Sequence, residues 1–319
     1  MFKRDLGAQL GFKLLTVGAD IDASVYKAET SDRQSYFVKL KTGQVRNISL
    51  NMLSKLRNAG IKQIIPSIRT LNGQLSCLMG EFTLIVYPFI QGQDGFSRVL
   101  TANQWVALGN ALRQVHEFKV PSCILSQIRR ETYSDKWRRA VRAIDTLLDA
   151  MPCTDQWALS LLKLIKNQKT AIQRLVDTAE ELAQKIRNHS PEFVLCHSDI
   201  HGGNVIVADN GLIYIVDWDD PIIAPKERDL MFIGGGVANV WNTPHEEAFF
   251  YKGYGKTAIN QEILAYYRHE RIVEDIAEYC HCLLSTAAGD DRETMYAHFA
   301  AMFEPLGVVD IAFKTLPKI

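Results

Sequence analysis

Between residues 196 and 219 the chain gathers side chains able to do chemistry. They are Cys196-His197-Ser198-Asp199-Ile200-His201-Gly202-Gly203-Asn204, followed by Ile215-Val216-Asp217-Trp218-Asp219. An apolar run, Phe193–His197, leads into the first group, and Asp209-Asn210-Gly211 signals a two-residue hairpin turn between the groups. A strand, a loop and a hairpin in that order fold Asp199, Asn204 and Asp217 back toward one another. Phosphoryl transfer to an alcohol needs such a set. One carboxylate orients the hydroxyl and takes its proton, hard oxygen ligands hold Mg²⁺ against the phosphates, and a cation grips the α/β-phosphates. Asp199 suits the first task, and Asn204 with Asp217 the second. His197 and His201 flank Asp199 and could be read as ligands of a hydrolytic metal. No second ligand cluster accompanies them, so His197 is read as a structural tie for the loop. His201 is read either as a contact to substrate or phosphate or as a solvated residue.

The elements that must carry these residues divide the chain. Ser24–Thr30 and Ser35–Lys41 are β-branched and aromatic around a polar Ser31-Asp32-Arg33 turn, which predicts a hairpin. Asn47–Ala59 has helical spacing and ends at Gly60. Ile64–Thr70, Leu75–Met79 and Phe82–Phe89 return to strand character, with a turn at Asn72-Gly73. Pro88–Gly95 reads as a connector. Helices are predicted over Asn103–Lys119, Ser134–Ala150, Asp155–Arg187, Asn260–Cys282 and Asp290–Phe303, with Trp105, Leu108, Leu112 and Val115 forming one apolar stripe. The expected fold is α+β and two-lobed. Residues 1–90 form a small antiparallel-sheet lobe that binds nucleotide, and residues 91–319 form a larger, mostly helical lobe for catalysis and substrate.

Bulk properties narrow the partners. The 319 residues are 47% hydrophobic and 23% charged, with a formal net charge of zero, so no whole-molecule field favours nucleic acid or an anionic membrane. Residues 191–319 nevertheless hold 20 acidic against 9 basic side chains, which suits a divalent metal, a cationic small molecule or both. The basic run Lys136-Trp137-Arg138-Arg139 with Arg142 is read as a solvated helix face. Six scattered cysteines show no CxxC pair and are read as reduced thiols. No signal-peptide core and no membrane-length apolar run is present, which makes the expected address cytoplasmic; a monomer is the expected state.

The pattern H-x-D-x-x-x-x-N at His197, Asp199 and Asn204, with the strand-borne I-V-D-W-D after it, resembles the aminoglycoside/choline kinase-like phosphotransferases, relatives of the protein kinases. The resemblance implies that Asp199 is catalytic, that Asn204 and Asp217 hold Mg²⁺, that His197 supports the loop and that Asp229 braces it. It makes Lys39, in Tyr36-Phe37-Val38-Lys39, the phosphate-gripping cation, with Lys41 on the same strand face as the alternative. It puts Gly18, Ala19 and Ser24 where the family's phosphate loop lies, and Pro88, Phe89 and Ile90 at the hinge that meets adenine. Pro225–Gly236 and Tyr267–Ala277 are similar to the spectinomycin-phosphorylating branch of that family. That implies transfer from ATP or GTP to a hydroxyl of an aminocyclitol antibiotic. By position, Trp241, Asn242, Tyr267 and Glu270 are candidates for the acceptor pocket, and Asp219 for metal or substrate. In contrast, Asp219 and Asp220 before Pro221 also read as turn residues, and Gly234-Gly235-Gly236 as a packed helix stop.

The protein kinases anchor the gripping lysine with a glutamate on the following helix. Residues 42–80 contain no Asp or Glu, which leaves Asn47, Asn51, Asp217 or the nucleotide as the partner of Lys39. Competing readings keep the chemistry and change the acceptor to choline, an amino acid, a sugar or a macrolide. A nucleotide-binding module without turnover is a further alternative.

Overall fold

The computed structural model describes residues 11–14, 23–43, 45, 47–144, 155–188, 191–284 and 292–317. Five strands form the N-terminal sheet: β1 (Gly11–Leu14), β2 (Ala23–Glu29), β3 (Ser35–Thr42), β4 (Cys77–Met79) and β5 (Phe82–Pro88). Their order is β1-β2-β3-β5-β4, antiparallel throughout. Alternation along β3 splits its side chains between two faces. Val38 joins Ala28 and Val86 in a small cluster on one face, while Lys39, opposite Ile85, points to the other. Helix α1 (Ile48–Asn58) packs Leu50, Met52, Leu53 and Leu56 into the main core together with Ile85.

Ile64–Thr70 is not a ladder strand. It contributes one parallel bridge, Ile64 to Ile215, and one bond from the Ile68 N–H to the Val86 carbonyl at 2.7 Å. Pro66 lies inside the segment and has no N–H to give, so an uninterrupted ladder cannot form there.

The rest of the chain is mostly helical. Two small sheets interrupt it: β10 (Ile213–Ile215), β9 (Val205–Ala208) and β6 (Gly92–Asp94) in one, β7 (Arg129–Arg130), β11 (Ile222–Ala224) and β8 (Val194–Cys196) in the other. The turn between β9 and β10 has three residues rather than two. Ala208 bonds the Leu212 carbonyl, and Gly211 supplies the left-handed residue, φ 85°, that closes it.

Helix α2 (Ala102–Glu117) begins with a reciprocal capping box between Thr101 and Gln104 and buries Trp105, Leu108, Leu112 and Val115. It lies almost backbone to backbone against α7 (Pro244–Tyr254). A Cβ on Gly109 would sit 2.1 Å from the Phe250 carbonyl oxygen, and one on Gly253 1.9 Å from that of Val106. Between them come α3 (Ser122–Leu125), α4 (Lys136–Arg142), the long α5 (Gln156–Arg187) and the short α6 (Glu227–Leu230). The N-cap carboxylate of Asp155 accepts from the Trp157 and Ala158 N–H groups at the start of α5. Helix α8 (Gln261–Leu284) packs along α5, with α9 (Arg292–Ala301) and α10 (Val308–Lys314) closing the end. Residues 145–150 of the expected Ser134–Ala150 helix, Asp290 of the last predicted helix, Cys153, Gly18 and Ala19 lie outside the described residues. Among the described residues no cysteine is in a disulfide and no helix is long and apolar enough to cross a membrane.

Arg138 is not on a solvated face. It is 0% exposed, bonded to Glu180 at 2.9 Å, to Glu270 and to the Tyr133 carbonyl, and so ties α4 to α5 and α8. Removing one partner of a buried pair leaves the other charge uncompensated, at about 3–5 kcal/mol. Arg138→Ala is therefore expected to lower the thermal midpoint by several degrees, while Arg139→Ala, on the exposed side of the same helix, leaves it within one degree. Equal small shifts for the two variants would contradict this.

Candidate active site

The loop after β8 is held from beneath by one buried carboxylate. Asp229, on α6, accepts from the backbone N–H groups of His197 at 2.9 Å and Ser198 at 2.7 Å. It also meets His116 Nε2 of α2 at 3.0 Å, and His116 Nδ1 meets the Tyr254 hydroxyl at 2.8 Å. Burial pushes the Asp229 carboxyl up, but His116 and the His197 contacts outweigh it, and the net shift is downward. Ser198 takes a left-handed φ of 77°, a costly conformation for a residue with a Cβ. Two contacts maintain it: its N–H to Asp229, and its Oγ donating to the Asp220 carbonyl at 2.9 Å.

His197 is 1% exposed and ties two segments. Its Nε2 reaches the Val216 carbonyl at 2.8 Å and its Nδ1 accepts from the Asp199 N–H at 3.2 Å, so the accounting requires the proton on Nε2. The ring lies edge-on to Trp218. Asn204 makes the second tie. Its Nδ2 donates to the Asp199 carbonyl at 2.8 Å, which turns Oδ1 away from Asp199, and its own carbonyl accepts from Val216 N–H. His197, Asp199, Asn204 and the residue preceding Asp217 thus form one connected unit. The Gly202-Gly203 pair gives room for it: a Cβ on Gly202 would sit 2.7 Å from the Phe96 ring, which stacks on His201 at 5.2 Å.

Across from this loop, Lys39 of the N-terminal sheet reaches the other lobe. Its ammonium lies 3.0 Å from Asp217 and 2.5 Å from Asp219, and Lys41 lies 2.7 Å from Asp219. Burial alone would depress the Lys39 pKa, but Asp217 and Asp219 outweigh it and raise it. Burial raises the Asp219 carboxyl, and Lys39 and then Lys41 outweigh that to lower it. The partner missing from residues 42–80 is therefore supplied by carboxylates about 180 residues downstream. Asp217 has a left-handed φ of 60° and a side chain 48% exposed. Its carboxylate and Asn204 Oδ1 are hard oxygen donors, a set whose chemistry fits Mg²⁺.

The Asp199 carboxylate is engaged by Arg271 of α8, a residue that reasoning from the sequence had not singled out for the site. On a helix its pairing with Asp275, at 2.7 Å, reads as an ordinary i,i+4 surface pair. Only the tertiary fold shows that the other end of the guanidinium reaches Asp199. Burial raises the Asp199 carboxyl, yet Arg271 and His201, 3.4 Å away, hold it well below the usual carboxylate range.

Other expected residues are distributed as follows. Ser24 is the exposed second residue of β2, opposite Leu40. Pro88 ends β5, Phe89 donates its N–H to the Ser35 carbonyl at 3.3 Å and takes Lys27 over its ring, and Ile90 follows in the connector. Trp241 and Tyr267, 4% and 2% exposed, are core side chains; Trp241 packs edge-on to Trp105, and Tyr267 lies against Tyr266 with Arg228 over its ring. Glu270 is committed to Arg138. Asn242 is partly exposed and donates to the Asn239 carbonyl at 3.3 Å. The Gly234–Gly236 run is a packed turn: Gly236 sits at φ 74°, and a Cβ on Gly235 would meet the Met231 carbonyl at 2.4 Å.

The model of the phosphotransferase enzyme family (APH) matches residues 13–263. A spectinomycin phosphotransferase solved in complex with ADP and spectinomycin is 45% identical. The match covers 98% of this chain and 96% of that one, with a TM-score of 0.92. The AMP-bound complex of a spectinomycin phosphotransferase is 44% identical over 98% and 96%, with a TM-score of 0.88. An amicoumacin kinase in complex with AMP-PNP shares the fold at 18% identity over 96% and 90%, TM-score 0.59. Among curated proteins the search returned no match.

Proposed function

Since the chain belongs to the phosphotransferase enzyme family, we propose that it moves the γ-phosphate of ATP to a hydroxyl of spectinomycin or a closely similar aminocyclitol. The observation that carries this reading is Lys39 reaching from the sheet to Asp217 and Asp219, beside the loop that bears Asp199. Asp199 orients the acceptor hydroxyl and accepts its proton as the new O–P bond forms and the bond from the γ-phosphorus to the β-phosphate oxygen breaks, releasing ADP. Lys39 grips the α/β-phosphates, and Lys41 keeps Asp219 neutralised. Asn204 and Asp217 would hold Mg²⁺, whose chemistry is to offset the charge on the phosphate oxygens. The lobe boundary is placed at residues 90/91, consistent with β6 joining the second lobe at Gly92.

A cationic acceptor suits α8. Glu274, Asp275 and Glu278 follow Arg271 on one stripe; burial and then neighbouring carboxylates raise Glu278, and burial raises Asp275 against Arg271. Carboxylates crowded in this way favour a cation beside them. The 45% identical phosphotransferase was solved with spectinomycin, which makes that aminocyclitol the first choice over choline, amino acids, sugars or macrolides. The test is mass spectrometry of spectinomycin incubated with protein, Mg²⁺ and ATP. The expected result is a product heavier by one phosphoryl group, about 80 Da, formed only with all components. An unmodified antibiotic, with another acceptor phosphorylated from the same panel, would reject the aminocyclitol.

A further inference from the structure

We infer that Arg271 is a positioning residue for Asp199, fixing which carboxylate oxygen faces the acceptor hydroxyl; the inference rests on the role proposed above for Asp199. The backbone of the Asp199 loop is set by Asp229, but backbone bonds leave the two side-chain torsions of an aspartate free. The contacts to Asp199 Oδ2 are long, 3.4 Å from both His201 Nε2 and Asn204 Nδ2, and neither is strong enough to fix the carboxylate plane. Among the described residues, the short contact to this carboxylate comes from Arg271 Nη1 to Oδ1.

Arg271 is itself held at two further points. Its Nε bonds Asp275 at 2.7 Å, and its guanidinium carbon lies 5.7 Å from the centre of the Phe232 ring. A planar guanidinium pinned by a carboxylate at one end presents its other N–H groups in a fixed direction. With Oδ1 occupied, Oδ2 is the oxygen left to accept from an acceptor hydroxyl. A lysine at 271 offers a single ammonium and cannot hold both carboxylates in one plane.

The test combines crystal structures with steady-state kinetics of the wild type, Arg271→Ala and Arg271→Lys. Arg271→Ala is expected to lower kcat by about 10²-fold, the cost of a misplaced reacting group, with KM for ATP within twofold. Millimolar guanidinium is expected to restore part of that kcat and none in Asp199→Asn. A kcat within threefold of wild type, or a loss confined to KM, would overturn the inference. If the alanine variant does not fold, the lysine variant decides: a tenfold lower kcat supports positioning and an unchanged kcat refutes it. The Asp199 side chain is expected to change rotamer in either variant structure, and an unmoved carboxylate counts against the inference without reference to turnover. Wild-type inactivity toward every acceptor would instead defeat the functional reading, and the crystal structures would then decide the role of Arg271.

Discussion

Asp217→Asn is expected to bind nucleotide yet transfer phosphate about 10³-fold more slowly than the wild type, a loss of several kcal/mol of transition-state stabilisation. Asp217 is the most solvent-accessible carboxylate of the Lys39 pair, 48% exposed against 24% for Asp219, so it is the one free to meet a metal–nucleotide complex. Asparagine keeps its size and one oxygen but removes the charge that a divalent cation needs. The fold should survive, because Lys39 keeps its 2.5 Å contact with Asp219 and the loop keeps its ties to His197 and Asn204. The expected signature is a raised Mg²⁺ requirement, with part of the lost rate recovered at high Mg²⁺. Asp220→Asn, at an exposed neighbouring position, serves as control and should stay within twofold. Equal rates for the two variants would show that Asp217 does not carry the metal.

Local signals made much of the scaffold legible. Helix α5 was expected from Asp155 and starts with that side chain capping it; the apolar stripe of α2 was expected from its spacing and is buried as a unit. Both depend on contacts within a few residues. The misread features depend on what lies far away in sequence. Ile64–Thr70 has strand composition, but Pro66 interrupts it, and it meets β5 through the bond from Ile68 N–H to the Val86 carbonyl rather than through a ladder. Arg138 sits in a run of basic residues whose composition predicts solvent, and only the carboxylates of Glu180 and Glu270 on two other helices reveal why it is buried.

The same division runs through the site. Asp199, Asn204 and Asp217 lie within 19 positions of one another, so motif spacing identifies them together. Lys39 and Arg271 approach the same region from opposite ends of the chain, and their pairing with Asp217, Asp219 and Asp199 follows from no local pattern. The missing helix glutamate is informative in retrospect. With no acid in residues 42–80, the buried Lys39 ammonium takes its countercharge from Asp217 and Asp219 of the other lobe, and this couples the sheet directly to the segment after β10.

Asp199→Asn should be the most damaging single change, with kcat lower by about 10³-fold or more and nucleotide affinity within twofold of wild type. General-base contributions of a positioned carboxylate are about 10²–10⁴-fold, and here orientation of the acceptor is lost with it. Asparagine can still accept from Arg271 through Oδ1, so the side chain stays near its native place and the loss reports chemistry rather than collapse. Nucleotide affinity is spared because the Lys39, Asp217 and Asp219 contacts do not include Asp199. Isothermal titration with a non-hydrolysable ATP analogue and single-turnover transfer to spectinomycin measure the two quantities separately. A variant that binds nucleotide normally and transfers within tenfold of the wild-type rate would remove Asp199 from the reaction. A variant that loses nucleotide binding would instead mean that Asp199 helps to hold the triphosphate, and the acceptor would have to be activated by another group.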